Sequence, residues 1–307
     1  MANKFNIIDI NLFCNQSRFK FINKELACDN SFVIKKHAYA DLKSRIEEFI
    51  DSKIKEKEIT NVSIYFRDLV SGPTLGIDDH AVFAPASLLK VPLLITYLNF
   101  AEDKPELLEK KLTYHTTKEV IFEQLISPKE SIQENESYSV NDLLKRLIKY
   151  SDNKAYIVLT KYLIQAYPNT DVFTETIQDL GIVSPRGERD EVISVKSYSS
   201  IFIQLYHASF FRNKETSEKT LEFLANTDFN IGIVAGVPPE ISVAHKFGER
   251  TGFEGGIKQL HDCGIVYYPK NPYLLCVMTR GHDIEKLSNV IGAISKMFYE
   301  EFDSRRL

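Results

Sequence analysis

The residues of this chain that are best placed to do chemistry together are Ser87 and Lys90, near the start of a stretch from Phe83 to Leu98. Small residues and a proline predict a turn, and the apolar residues that follow predict a helix. A spacing of three puts the hydroxyl and the amine on one helix face. Helix N-termini favour a forming oxyanion, and apolar neighbours lower the pKa of a lysine. The pair therefore fits an activated nucleophile, a weak hydroxyl beside an amine that takes its proton.

The Ser-x-x-Lys spacing is not specific by itself. The other copies lie in polar sequence and are Ser17-x-x-Lys20, Ser52-x-x-Lys55 and Ser151-x-x-Lys154. Its setting before an apolar helix separates the Ser87 copy from these. A buried core helix with a capping serine and a snorkelling lysine explains the same two residues without any chemistry.

Composition and charge narrow the class of protein. With 307 residues, 44% of them hydrophobic and 26% charged, the chain can bury a substantial core and resembles an ordinary soluble globular protein. The net charge of -4 lacks the excess of positive charge that nucleic-acid-binding proteins carry, so we expect no nucleic-acid partner. No apolar run reaches transmembrane length, and the N-terminus lacks the pattern of a signal peptide. An intracellular protein and one whose leader was removed are the two alternatives.

The four cysteines show no metal-ligand spacing, and we expect neither a metal ion nor a cofactor. Cys263 and Cys276 lie in apolar strand segments, which predicts inert core thiols. Cys14 and Cys28 are close enough in sequence to pair, but the sequence does not decide it.

The spacing of the apolar residues divides the chain into regions predicted to be helices and regions predicted to be strands. A helix is predicted from Tyr39 to Lys55, followed by a strand at Val62–Phe66 and a second short strand. In the middle of the chain the apolar residues recur at helical spacing. Near Pro238 they begin to alternate with polar residues, which is the period of two expected of a strand. Three strands and a long C-terminal helix then follow. These patterns predict an α+β fold, an antiparallel sheet flanked by helices with an inserted all-helical lobe.

The predicted division has three parts. Residues 1–38 form an N-terminal extension, residues 39–84 and 238–307 an α/β lobe, and residues 85–237 the helical lobe.

Two further polar clusters lie at the edges of these elements. Ser151-Asp152-Asn153 falls at a break between helices, where short polar side chains either stop and cap helices or point into a cleft. Lys246-Phe247-Gly248 falls on the first C-terminal strand. There Gly248 would let a ligand backbone approach and Lys246 would supply a positive charge, although an ordinary strand lysine fits as well.

Taken together, the three clusters resemble the signature of the class A serine β-lactamases and related penicillin-binding proteins, which is Ser-x-x-Lys, Ser-Asp-Asn and Lys-Thr-Gly. Their order matches, and so do their contexts of helix start, inter-helix break and strand. The resemblance covers roughly residues 39–307. It implies the β-lactamase/transpeptidase-like fold, an extracytoplasmic location in the cell envelope, and β-lactams or cell-wall peptides as substrates.

The resemblance also implies a role for each matching residue. Ser87 would be the nucleophile that forms an acyl-enzyme, and Lys90 would take its proton. Ser151 would relay a proton to the leaving nitrogen, and Asn153 would hold an amide of the substrate. Lys246 would attract the substrate carboxylate and bias the electrostatics around Ser151.

The oxyanion hole implied by the resemblance is the backbone N–H of Ser87 together with that of Glu249. Phe247, Gly248 and Glu249 would line the substrate site with Asn153. Asp152 is expected to hold its turn rather than to react.

Two features depart from the family pattern. Phe247 stands where a threonine or serine hydroxyl would contact the substrate carboxylate. The segment Ile182–Ile193 is also too short for the long loop that carries a glutamate in class A enzymes, and the neighbours of Glu188 and Glu191 do not match its motif.

The leading hypothesis is an acyl-transfer serine hydrolase with slow deacylation. The alternative is a non-catalytic envelope protein that uses the same fold for binding or as a scaffold.

Overall fold

The computed structural model describes residues 20–21, 39–115, 124–182, 192–251 and 254–305. Most of the predicted N-terminal extension, including Cys14 and Cys28, lies outside the described residues. So does the segment 183–191, which contains Glu188 and Glu191.

The described chain contains strands near both ends and mostly helices in between. In order they are α1 (Ala40–Lys55), β1 (Asn61–Asp68), β2 (Thr74–Ile77), β3 (Val82–Phe83), α2 (Lys90–Asp103), β4 (Lys111–Thr113), β5 (Ser137–Ser139), α3 (Val140–Lys149), α4 (Asn153–Ala166), α5 (Val172–Asp179), β6 (Ile193–Ser194), α6 (Val195–Tyr206), α7 (Lys214–Ala225), β7 (Val243–Arg250), β8 (Lys258–Val266), β9 (Tyr273–Gly281) and α8 (Ile284–Arg305). Short 3₁₀ turns lie at Ala86–Leu89, Pro105–Glu109, Ile233–Gly236 and Glu254–Gly256.

The central sheet has the strand order β2-β1-β9-β8-β7, and every neighbouring pair is antiparallel. The α+β fold predicted from the sequence is therefore confirmed. Strand β7, which carries the Lys246 cluster, is the last strand of this sheet. One of its edges faces away from β8, so the backbone of β7 can approach other parts of the molecule or a ligand.

Apolar side chains cover both faces of the sheet. Along β9 the residues alternate between two cores, with Leu274, Cys276 and Met278 in one and Leu275 and Val277 in the other. The first core includes α2 and α6, and the second includes α1 and α8. Because successive side chains of a strand point to opposite faces, the sheet is a layer between two groups of helices.

The helical insertion follows the predicted pattern in most places. Ser139 caps α3 by accepting a hydrogen bond from the Asp142 backbone N–H (3.1 Å), as its position predicts. Helix α7 was not anticipated, because its sequence is mostly polar and buries few large apolar side chains, among them Leu221 and Leu224. The aromatic-rich stretch Val195–Phe211 predicts a helix over its whole length, but the helix ends at Tyr206.

The prediction of inert thiols at Cys263 and Cys276 is wrong, because the two form a disulfide between β8 and β9. They are direct partners in the antiparallel register, which brings their side chains together on one face of the sheet. Sequence patterns indicate two strands but not which residues face each other, so the bond was not foreseeable.

None of the described helices is both long enough and apolar enough to span a membrane.

Gly248 fixes how closely β7 packs against the 3₁₀ turn Ala86–Leu89. A Cβ atom at this position would lie 3.0 Å from the Pro85 carbonyl oxygen and 3.0 Å from Leu88 Cγ. The approach of a ligand backbone to this glycine stays a prediction, and the neighbour that the structure shows is the chain's own turn. The missing side chain therefore sets the position of the segment that carries Ser87.

We expect Gly248→Ala to lower the free energy of unfolding by about 1–3 kcal/mol, because the added methyl overpacks a contact made by backbone atoms. Chemical denaturation would measure the change. Gly292→Ala is the matched control, since the atom nearest to its added methyl group would be Ala235 Cβ, at 3.4 Å. A Gly248→Ala protein as stable as the parent would show that the turn moves freely and is not fixed by this contact.

Candidate active site

Ser87 lies in the 3₁₀ turn Ala86–Leu89, which leads directly into α2 at Lys90. In a 3₁₀ turn residues three apart lie almost directly above one another, so the predicted alignment of Ser87 and Lys90 does not need a full α-helical turn. Ala86, just before the serine, has a φ of 49°, a left-handed conformation unusual for a residue other than glycine. Such backbone conformations concentrate at functional sites, where the surrounding structure holds them in place.

Buried polar side chains hold the segment leading into this turn. The Gln259 Oε1 atom accepts a hydrogen bond from the Ala84 backbone N–H (3.1 Å), and His261 Nε2 donates to the Ala84 carbonyl oxygen (3.1 Å). Tyr198 Oη donates to the Leu88 carbonyl oxygen (2.9 Å) on the other side of Ser87. Burial lowers the pKa of His261 to about 3, so its ring is neutral and keeps this donor role across the physiological pH range.

Sequence reasoning missed these residues. Gln259 and His261 lie in the part of β8 before Cys263, which was not assigned to the strand because its polar residues interrupt the apolar run. Both side chains are buried, at 2% and 0% exposure. The signal available in the sequence was a group of polar residues immediately before an apolar strand.

Ser151 is the centre of the polar network. Its Oγ atom lies 3.0 Å from Lys90 Nζ and 3.0 Å from Lys246 Nζ, and both lysines donate to it. Lys90 also donates to the Ser151 carbonyl oxygen (2.5 Å) and to Asn153 Oδ1 (2.6 Å). Lys246 donates to the Phe247 carbonyl oxygen (2.9 Å). Three clusters that lie far apart in the sequence thus meet at one hydroxyl.

The backbone around Ser151 is shaped for this contact. Ser151 has a φ of 55°, again in the left-handed region. Asp152 caps α4 by accepting from the backbone N–H of Lys154 (2.8 Å), and it also accepts from the N–H of Ile132 (3.0 Å) and from Ser131 Oγ (3.1 Å). Asp152 therefore holds its turn, as its position in the sequence predicts.

Burial dominates the electrostatics of the two lysines. It lowers the pKa of Lys90 to about 7, although the negative charges of Asp152 and Glu249 raise it. Burial also holds the pKa of Lys246 well below its usual range, and the charge of Lys90 adds to this effect. The amine of Lys90 is thus available as a proton acceptor near neutral pH.

The Phe247 side chain belongs to the hydrophobic core. It is 3% exposed and stacks on Phe229 with ring centroids 4.0 Å apart. Lys246 Nζ lies 4.0 Å from the centroid of the Phe247 ring, within the range of a cation–π contact. The aromatic ring at this position therefore packs against Phe229 and beneath Lys246 Nζ, and it offers no hydroxyl to a substrate.

Glu249, two residues further along the same strand, contributes more than its backbone. Its carboxylate oxygens accept from the Ile126 backbone N–H at 3.0 and 3.2 Å. Burial raises the pKa of this carboxyl, while the bond from Ile126 and the charges of Lys246 and Lys90 oppose the rise. Sequence reasoning assigned only the backbone N–H of Glu249, and no motif pointed to its partner, Ile126.

Comparison with known proteins agrees with this geometry. The sequence profile of the "Beta-lactamase enzyme family" matches residues 41–302. Solved structures with the same fold include a PBP-A mutant described as an acyl-enzyme complex with penicillin G (TM-score 0.67, 21% identity, 86% of this chain and 97% of that one). They also include the TLA-3 extended-spectrum β-lactamase (0.71, 17%, 86% and 99%) and a class A β-lactamase from Mycobacterium abscessus (0.66, 19%, 84% and 99%). No protein with a curated description matches the chain significantly.

The profile spans most of the chain, and the solved structures share its fold along nearly their whole length. This protein belongs to the beta-lactamase enzyme family and has the family's fold.

Proposed function

We propose that the protein is a serine hydrolase that forms an acyl-enzyme on Ser87 with β-lactams or cell-wall peptides. The observation that carries the proposal is the sharing of Ser151 Oγ by two buried lysine amines beside the Ser87 turn. Burying two basic groups is costly unless they are well paired. A proton relay through Ser151 would use such an arrangement, and this supports the catalytic proposal over the non-catalytic alternative.

In the proposed acylation step, Ser87 Oγ attacks the carbonyl carbon of the scissile amide and its proton passes to the neutral amine of Lys90. The tetrahedral oxyanion accepts hydrogen bonds from the backbone N–H groups of Ser87 and Glu249. Collapse breaks the carbon–nitrogen bond, and the leaving nitrogen takes the proton of Ser151 Oγ. The proton held by Lys90 then restores Ser151 across their 3.0 Å contact.

The remaining site residues have binding roles in this proposal. Asn153 binds an amide of the substrate, and Lys246 stabilises negative charge near Ser151. Gly248 acts through the position of the Ser87 turn, and the Phe247 carbonyl anchors Lys246. No step in this scheme uses a metal ion or a cofactor.

An extracytoplasmic location is part of the proposal. The Cys263–Cys276 disulfide supports it, because disulfides persist mainly in oxidising compartments such as the cell envelope.

We expect a fluorescent penicillin to label the protein covalently, and we expect Ser87→Ala to abolish both the label and the mass shift of the adduct. Ser52→Ala is the matched control, because Ser52 has the same spacing to Lys55 but lies on α1, outside the site. Peptide mapping would locate the adduct. Label on another serine, or label that persists in Ser87→Ala, would refute the assignment, and an inert wild-type protein would favour the non-catalytic alternative.

The acylation rate should rise with pH through about 7, because Lys90 accepts a proton only in its neutral form and its pKa lies there. Lys90→Met should lower the rate by roughly 10²–10⁴-fold and remove that rise. Lys55→Met, which alters the exposed lysine of another Ser-x-x-Lys copy, should leave the profile intact. Stopped-flow acylation across pH 5–9 is the measurement, and an unchanged profile in Lys90→Met would exclude it as the base.

Deacylation should be slower than acylation, so that the acyl-enzyme accumulates. The segment Ile182–Ile193 is short for a loop that carries a hydrolytic glutamate, and a missing general base costs roughly two to four orders of magnitude in rate. Pre-steady-state kinetics with a chromogenic cephalosporin tests this. Fast turnover without a burst would contradict it and direct attention to Glu188 and Glu191.

A further inference from the structure

The Cys263–Cys276 disulfide lies next to Lys246 in the central sheet. In the antiparallel register Lys246 of β7 is opposite Cys263 of β8, and Cys263 is in turn opposite Cys276 of β9. Residues directly opposite each other on antiparallel strands share one face of the sheet, with Cβ atoms about 4.5–5.5 Å apart. The disulfide and the Lys246 side chain are therefore neighbours on the same face.

That face is a closely packed part of the first core. Cys263, Cys276 and Lys246 all have 0% exposure. Ala244, two residues before Lys246 on β7, belongs to the same core as the two cysteines, as the alternation of side chains along a strand requires. Because protein interiors have few voids, a group in this core takes up more room only if its neighbours move.

Oxidation changes the room that the two sulfur atoms need. Two thiols occupy more space than a disulfide, because sulfur atoms that are not bonded to each other stay at van der Waals distance. The backbones of β8 and β9 are paired on both sides of the cysteines, from Lys258 with Gly281 to Val266 with Tyr273, so they cannot separate locally without losing ladder hydrogen bonds. The side chains around the sulfurs must therefore yield, and Lys246 is one of them.

A small displacement of Lys246 matters because its amine is held at two points. Nζ donates to Ser151 Oγ at 3.0 Å and to the Phe247 carbonyl oxygen at 2.9 Å. Hydrogen bonds weaken steeply when their distance or angle departs from these values. The oxidation state of the two cysteines thus bears directly on the contact between Lys246 and Ser151.

We propose that the Cys263–Cys276 pair is a redox-dependent positioning group for Lys246, so that acyl transfer at Ser87 is efficient in the disulfide form and slow in the dithiol form. This inference rests on the proposed acyl transfer and adds its regulation. In the oxidation step the two thiols pass two electrons and two protons to a second disulfide, which leaves as two thiols. Because such oxidation takes place in oxidising compartments, the site gains its full activity only there.

The test prepares both forms from one batch of protein. One half is unfolded, reduced with dithiothreitol, refolded without oxygen and freed of the reductant, and the other half is treated alike and then reoxidised. The second-order rate of Ser87 acylation by a penicillin is followed by intact mass. The dithiol form should be slower by about 10–100-fold, which corresponds to the loss of one hydrogen bond of a lysine amine.

Lys246→Met shows whether the effect passes through Lys246. The variant keeps a long side chain in the core but removes the amine that donates to Ser151 Oγ. Its acylation should be slow in both forms, with the same rate before and after reduction. A further loss on reduction as large as in the wild-type protein would overturn a positioning role that acts through Lys246.

Two control variants separate positioning from other effects of reduction. Cys14→Ser/Cys28→Ser removes the remaining cysteines of the sequence and should preserve the difference between the two forms. Val277→Ala weakens the packing of β9 from its other face, in the second core, and should lower the melting temperature while leaving the acylation rate unchanged. If Val277→Ala slows acylation as much as reduction does, general loosening of the sheet replaces the proposal.

The remaining outcomes separate this inference from the function on which it rests. If both forms acylate Ser87 at the same rate, the inference is wrong while the proposed function stands. If the dithiol form is unfolded by near-ultraviolet circular dichroism, the disulfide stabilises the fold and does not position Lys246. If the oxidised protein does not acylate Ser87 at all, the proposed function fails and this inference fails with it.

Discussion

The structure depends on one polar contact, in which the amines of Lys90 and Lys246 both donate to the hydroxyl of Ser151. All three residues are almost completely buried. Two amines at this distance in a poorly solvated site cannot both carry a full charge without a large penalty, so burial moves both pKa values downward. The fold meets this constraint by drawing the three groups from different elements, the start of α2, the turn before α4 and the edge strand β7.

Each of these elements is held by contacts that carry no chemistry themselves. Gln259 and His261 of β8 fix the Ala84 backbone ahead of Ser87, and Asp152 fixes the turn that contains Ser151. The close packing of Gly248 against the Pro85–Leu88 turn sets the distance between β7 and Ser87. Buried polar groups of this kind are worth keeping because a fully satisfied network defines one geometry, whereas a partly satisfied one is costly.

Two side chains on β7, Phe247 and Glu249, make contacts that the motif residues alone do not predict. Phe247 directs an aromatic ring into the core, where it stacks on Phe229 and lies 4.0 Å from Lys246 Nζ. The Glu249 carboxylate accepts from the Ile126 backbone N–H and so ties β7 to the helical insertion.

The sequence by itself determined the fold class and picked out Lys90, Ser151, Asn153 and Lys246, which meet in the structure. Apolar periodicity identified most helices and strands, because that signal is local, and the motif residues Ser87, Ser151 and Lys246 were recognisable at the points where elements change. The division into an extension and two lobes stays a prediction.

Only the tertiary structure decided which residues lie opposite one another. Strand register joined Cys263 to Cys276, packing turned Phe247 into a core residue, and a contact across more than a hundred residues gave Glu249 its partner Ile126. None of these follows from a pattern in one stretch of chain, because each depends on how separate elements align. The buried polar residues of β8 were hidden for the same reason, since their partner is a backbone segment distant in sequence.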